Sequence, residues 1–229
     1  MNKIVERVLH WFFPKRCALC GDVIGLDENL CPECMKNSRI NPPLCDKCGR
    51  DKKRCECDKA HDTPDYAKTV APFYYEGNVV KAVHRFKFSN RAELAEGMSG
   101  EMVGTVLREY GNIKFDYVVY IPMSKKREKR RGYNQSLLLA RCISEKIGVP
   151  VLDAFYKAYE NPPQRNQTAR MRRANIFGAF DVYDDLDVKD KTFLIVDDVK
   201  TTGSTLSECA AVLKSYGAKE CCCVSFAIR

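Results

Sequence analysis

The 229-residue chain is 45 % hydrophobic and 30 % charged, with 13 Gly and 10 Pro, which excludes collagen-like, low-complexity and largely disordered polypeptides. Its length suits one domain of ordinary size with a small module beside it and is too short for two full catalytic domains. The net charge of +8 favours anionic partners, and the apolar runs fall well short of the roughly 18 residues a membrane span needs.

From the N-terminus, Ile4, Val8, Leu9, Trp11 and Phe12 fall on one face of a short amphipathic helix stopped by Pro14, and this face is expected to pack on the core, with binding to a membrane surface as the alternative. Glu6, Arg7 and His10 break the segment as an export signal, so the expected location is cytoplasmic, where thiols stay reduced. Eight of the 13 cysteines follow within the first 57 residues, as Cys17-x2-Cys20, Cys31-x2-Cys34, Cys45-x2-Cys48 and Cys55-x-Cys57. Each C-x2-C turn presents two thiolates to one ion, and two turns complete a closed tetrahedral zinc site. Consecutive pairing puts Cys17, Cys20, Cys31 and Cys34 on one zinc and Cys45, Cys48, Cys55 and Cys57 on a second. Interleaved pairing of 17/20 with 45/48 stays open, as does His61 in place of a cysteine in the second set. One or two structural zinc ions are expected, and the segment should fold only with metal, because few large apolar side chains are available to it.

Residues 1–62 thus read as an N-terminal helix with a zinc-ribbon module, and 66–229 as a second unit in which strand and helix patterns alternate. Helices are expected at 78–88, 91–110, 134–147 and 204–216, and strands at 117–121, 193–196 and 221–228. Strands spaced by helices imply a parallel sheet and an α/β fold. Cys221, Cys222 and Cys223 read as buried strand residues.

The segment from Phe193 to Leu206, FLIVDDVKTTGSTL, carries the most chemistry. A buried strand ends in Asp197 and Asp198, and the loop Thr201, Thr202, Gly203, Ser204, Thr205 opens a helix. Ligands bind at the carboxyl ends of parallel strands, and a helix N-terminus rich in hydroxyls suits a phosphate. The two acids oppose that phosphate electrostatically, so their task is another: accepting bonds from sugar hydroxyls or helping to hold a divalent cation.

This segment resembles the signature of type I phosphoribosyltransferases. With the cysteine-rich N-terminus, HRFKFSNR (84–91), RRGYNQSLLLA (130–140) and QRNQTARMRRANIFGAF (164–180), the whole chain resembles the ComF family of late-competence proteins. The resemblance implies a zinc-ribbon module followed by a Rossmann-like parallel sheet that binds 5-phosphoribosyl-1-pyrophosphate (PRPP) with Mg²⁺. It implies that Asp197 and Asp198 meet the ribose hydroxyls and that Thr201 to Thr205 cradle the 5-phosphate. Ser124, Lys125, Arg127 and Arg131 would lie on the pyrophosphate side, and Arg165, Arg170 and Arg173 in a lid. It further implies work in the cytoplasm on transforming DNA, beside a competence helicase and other DNA-processing proteins.

Three functional readings follow. One is a phosphoribosyltransferase releasing pyrophosphate to an acceptor that the sequence does not name; Thr201 stands where purine-salvage relatives place an acid. The second is binding of single-stranded DNA through Lys126, Lys129, Arg130, Arg165, Arg170 and Arg173, with Phe86, Phe88, Tyr133 or Phe177 as stacking candidates that packing in the core would equally explain. The third is an adaptor that docks partners on the zinc module or the N-terminal apolar face.

Overall fold

The structure, a computed structural model, describes residues 10–57, 63–157, 180–183 and 185–229. After the short helix α1 (Pro32–Lys36) come β1 (Lys68–Val70), β2 (Phe73–Tyr74), α2 (Gly77–Phe88), α3 (Leu94–Tyr110) and β3 (Tyr117–Tyr120). Then follow α4 (Lys125–Arg131), α5 (Gln135–Ile147), β4 (Phe155–Lys157), β5 (Phe180–Val182), β6 (Thr192–Lys200), α6 (Ser204–Ser215) and β7 (Glu220–Ile228).

The sheet is parallel, in the order β1-β7-β6-β3, and β2 continues the edge of β7 beyond β1. The sequence of β6 explains its central place. Its first five residues are buried, and alternation sends Leu194 and Val196 to one face and Phe193 and Ile195 to the other. On the first face they meet Met98 and Met102 of α3 and Leu139 and Ile143 of α5; on the second they meet Leu206 and Leu213 of α6. Strand β7 is divided the same way, with Cys222 on the first face and Cys221 and Cys223 on the second. All three are fully buried, as packing residues should be. Off the sheet, β4 and β5 pair antiparallel.

Both cysteine-rich turns are built alike. Cys17 and Cys45 each receive a bond on their carbonyl from the glycine four residues on, Gly21 at 2.9 Å and Gly49 at 2.7 Å. Each glycine sits at positive φ, +90° and +78°. At Gly49 close approach adds to the conformational demand, since a Cβ there would lie 2.6 Å from Ile228 Cδ1 and 3.0 Å from the Thr69 carbonyl.

The first ribbon shares its core with the sheet. Cys17, Ala18, Leu19, Ile24, Leu30 and Cys34 are buried with Phe86 of α2 and Met98 of α3. Burying Leu19 and Leu30 contributes about 1.5–3 kcal/mol each. The Arg85 guanidinium of α2 reaches back to the carbonyls of Ala18 and Leu19, at 3.4 and 2.6 Å. The second ribbon is tied to the sheet by the Thr69 amide on the Asp46 carbonyl at 2.9 Å, and by Arg54 paired with Glu76 at 3.0 Å.

Expectation and structure part in several places. Residues 1–9 lie outside the described residues, but Trp11 is 83 % and Phe12 67 % exposed, so these two do not pack on the core as their spacing suggests. Strand β6 runs on to Lys200, four residues past the apolar run, because the segment from Asp197 to Lys200 keeps pairing with β7. The basic run at 125–131 is a helix, capped by Ser124, whose hydroxyl accepts the Arg127 amide at 3.3 Å. Among the described residues no helix is long and apolar enough to cross a membrane.

Candidate functional site

The two metal clusters come together in chain order. Cys17, Cys20, Cys31 and Cys34 form one group and Cys45, Cys48, Cys55 and Cys57 the other, with the sulfurs of each group within 4.8 Å of one another. Four sulfurs about 2.3 Å from a zinc ion stand about 3.8 Å apart along each tetrahedral edge. The Cys20–Cys31 separation is 3.6 Å, and Cys45–Cys57 and Cys48–Cys55 are 3.7 Å. The thiols fit the ion, and the interleaved pairing is excluded. His61 lies outside the described residues.

The second candidate site stands at the carboxyl ends of β3 and β6. Asp197 Oδ1 accepts from Ser136 Oγ at the start of α5 (2.9 Å) and from the Asp198 amide (2.8 Å). Burial, then the adjoining Asp198 carboxylate, push the Asp197 carboxyl up to about 7, against the pull of those two donors and of Lys87. Asp198, 7 % exposed, pairs with Lys87 Nζ at 2.9 Å. Lys87, the penultimate residue of α2 and part of HRFKFSNR, thus neutralises one of two adjacent acids.

Beyond β6, Gly203 turns the chain at φ +88° into α6, whose first residue follows without a side-chain cap. Thr202 Oγ1 lies 2.7 Å from Ser204 Oγ and accepts the Ser204 amide at 3.3 Å. Thr201, Thr202, Ser204 and Thr205 are all solvent-exposed, so this hydroxyl-rich start of a twelve-residue helix faces solvent, with the Ser204 amide taken by Thr202.

From the β3 side, the Ile121 amide bonds to the Val196 carbonyl (3.2 Å), and Asn134, the N-cap of α5, holds the Ile121 carbonyl through Nδ2 (3.1 Å). That brings the loop 121–124 beside the acids.

A double zinc ribbon domain family matches residues 8–63, and a phosphoribosyl transferase domain family matches residues 134–228. The chain is 31 % identical over 213 residues to the DNA utilization protein YhgH of Escherichia coli K12, covering 91 % of this chain and 87 % of the relative. It is 30 % identical over 224 residues to competence protein F of Haemophilus influenzae, covering 91 % and 95 %. Competence protein ComFC of Bacillus subtilis is 27 % identical over 200 residues, covering 83 % and 80 %. The chain belongs to the ComF family.

In this ComF chain the basic residues of α4 divide. Lys125, Lys126, Arg127, Lys129 and Arg130 are exposed, whereas Arg131 turns inward, over the Phe88 ring at 5.0 Å and onto Gln135 Oε1 at 3.0 Å. The stacking candidates divide too. Phe86 is fully buried, Tyr133 is half-buried with its hydroxyl on the Phe86 carbonyl, and Phe88 is 55 % exposed beside His84. Arg165, Arg170, Arg173 and Phe177 lie outside the described residues. Sequence reasoning missed Lys87 and Ser136 as parts of the site, although the first lies in HRFKFSNR and the second in RRGYNQSLLLA.

Proposed function

We propose that this ComF protein binds PRPP with Mg²⁺ at Asp197, Asp198 and the loop Thr201 to Thr205, and serves the handling of single-stranded DNA during competence in the cytoplasm. The observation that carries the reading is the pair of acids in the second half of β6, one bonded to Ser136 and the other to Lys87, two residues before the solvent-exposed loop that opens α6. Residues 66–229 are the ligand-binding unit and 1–62 the zinc-ribbon unit. Asp197 and Asp198 accept the ribose hydroxyls; Ser124, Lys125, Arg127 and Arg131 face the pyrophosphate, whose charge Mg²⁺ offsets when bound. The names of the relatives, competence protein and DNA utilization protein, support the DNA role.

The test is calorimetric titration of PRPP with Mg²⁺ as a function of pH. The ionised carboxylate accepts hydroxyl hydrogens more strongly than the protonated acid, so Asp197, pushed up to about 7, should hold the ribose better once it has lost its proton. Affinity should therefore rise as pH increases through about 7, by up to about tenfold per unit on the acid side for one linked proton. The phosphates of the ligand titrate near about 6, and Asp197→Asn should keep that part of the dependence and lose the rest. Stability runs the other way. The unfolded carboxyl titrates near about 4, so between about 4 and 7 the folded state holds the extra proton and loses stability as pH rises. A wild-type affinity profile superimposable on that of Asp197→Asn would remove Asp197 from the site.

For DNA, α4 offers Lys126, Lys129 and Arg130 to solvent with no buried residue in the helix. Replacing all three with Gln should weaken oligonucleotide binding and reduce the slope of log affinity against log salt by about 0.7 for each phosphate no longer neutralised, about 2 in all. An unchanged slope in a salt series would place the DNA elsewhere.

A further inference from the structure

The second ribbon touches the phosphate loop through two buried side chains. Tyr66, at the foot of β1, donates its hydroxyl to the Lys47 carbonyl at 2.7 Å, and Lys200, the last residue of β6, donates Nζ to the Cys48 carbonyl at 3.2 Å. Each is 5 % exposed. Lys47 and Cys48 belong to the Cys45-x2-Cys48 turn, so the direction of both carbonyls is set by how that turn closes on its ion. The same two side chains flank the turn into α6: a Cβ on Gly203 would lie 2.8 Å from Lys200 Cε and 3.1 Å from the Tyr66 hydroxyl oxygen. The residue that aims the loop at its ligand thus rests on groups that the ribbon holds.

The space between confirms the neighbourhood. A cleft of about 920 Å³ has Lys47, Cys48 and Cys57 of the ribbon on one wall and Lys200, Thr202 and Ser204 on the other. The first ribbon is placed differently, since its turn is gripped by Arg85 of α2, and among the described residues it makes no bond to the loop.

We infer that metal in the second ribbon and a phosphate ligand at the Thr201–Thr205 loop bind cooperatively, with Tyr66 and Lys200 as the positioning residues that join them. This rests on the reading of the loop as a phosphate site. Without the ion the Cys45–Cys48 turn loosens, the buried Lys200 ammonium loses its carbonyl acceptor, and the support beneath Gly203 goes with it; an unpaired buried charge is costly enough to move the side chain. Linkage makes the effect reciprocal: if the metal strengthens ligand binding, the ligand strengthens metal retention by the same factor.

Reciprocity supplies a test independent of turnover. The full-length protein is loaded with cadmium, whose nuclear resonance reports each four-cysteine site separately, and metal loss to a competing chelator is followed with and without PRPP and Mg²⁺. The second ribbon should hold its metal about tenfold more tightly with ligand present, the first ribbon should be unchanged, and Lys200→Met and the near-isosteric Tyr66→Phe should each reduce that protection. Ligand binding with no protection of the second ribbon, equal protection of both ribbons, or full protection in both variants would overturn the coupling and leave the PRPP reading intact. Failure of the fully loaded protein to bind PRPP or ribose 5-phosphate would overturn the phosphate site and the coupling together.

Discussion

Stripping zinc from both ribbons should unfold this protein well beyond residue 57. Structural zinc contributes roughly 10–16 kcal/mol of apparent binding free energy in zinc-finger peptides, as much as the roughly 5–15 kcal/mol that holds a typical domain together. Here the metal ligands are themselves core residues, Cys17 at 1 % and Cys34 at 3 % exposure, and Leu19 and Leu30 between them pack under α2 and α3. If the turn opens, Arg85 loses the carbonyls of Ala18 and Leu19, and a face of the sheet's own core is uncovered. Thermal unfolding followed by circular dichroism, with and without a strong chelator, should show the main transition lowered by at least about 10 °C, on a scale of about 2–4 °C per kcal/mol for a chain of this size. An unmoved transition would mean that the ribbons ride on the fold without supporting it.

The second large effect is on the ligand. Charge-assisted hydrogen bonds contribute about 1.5–3 kcal/mol each, so loss of both carboxylates in Asp197→Asn/Asp198→Asn should lower affinity for PRPP with Mg²⁺ by at least about 100-fold. The single variants separate binding from folding. Asn at 197 keeps an oxygen for Ser136 and the 198 amide and removes a carboxylate that burial disfavours, so stability above pH 7 should hold or rise. Asn at 198 leaves Lys87 without its 2.9 Å partner and should lower stability. Equal melting temperatures for the two single variants, measured at pH 8, would show that Lys87 and Asp198 are not a pair in solution.

The sequence made the parallel α/β sheet, the cysteine clusters and the acid-and-threonine loop legible because each depends on local spacing. The apolar run 193–196, short and followed by paired acids and a Gly-containing loop, reads as a buried strand next to helical neighbours, and paired C-x2-C turns bring their own geometry. What stayed hidden depends on residues distant in the chain. Strands β1 and β2 are three and two residues long and exist because β7 pairs with them, which no local period announces. Lys87 stands in a motif, yet its partner is 111 positions away. Trp11 and Phe12 misled for the opposite reason: helical spacing shows a face and says nothing of whether another surface covers it. The close fit of the ribbons to the sheet was equally unreadable, since Arg85 and Gly49 look ordinary until their neighbours are known.

The central claim, that the acids of β6 and the loop before α6 form a PRPP site, is tested most directly by a crystal structure of the zinc-loaded protein with PRPP and Mg²⁺. The 5-phosphate should lie on the amides and hydroxyls of Thr201 to Thr205, with the ribose hydroxyls within hydrogen-bond reach of Asp197 and Asp198. Full occupancy of PRPP anywhere else, or none at saturating ligand, would contradict it.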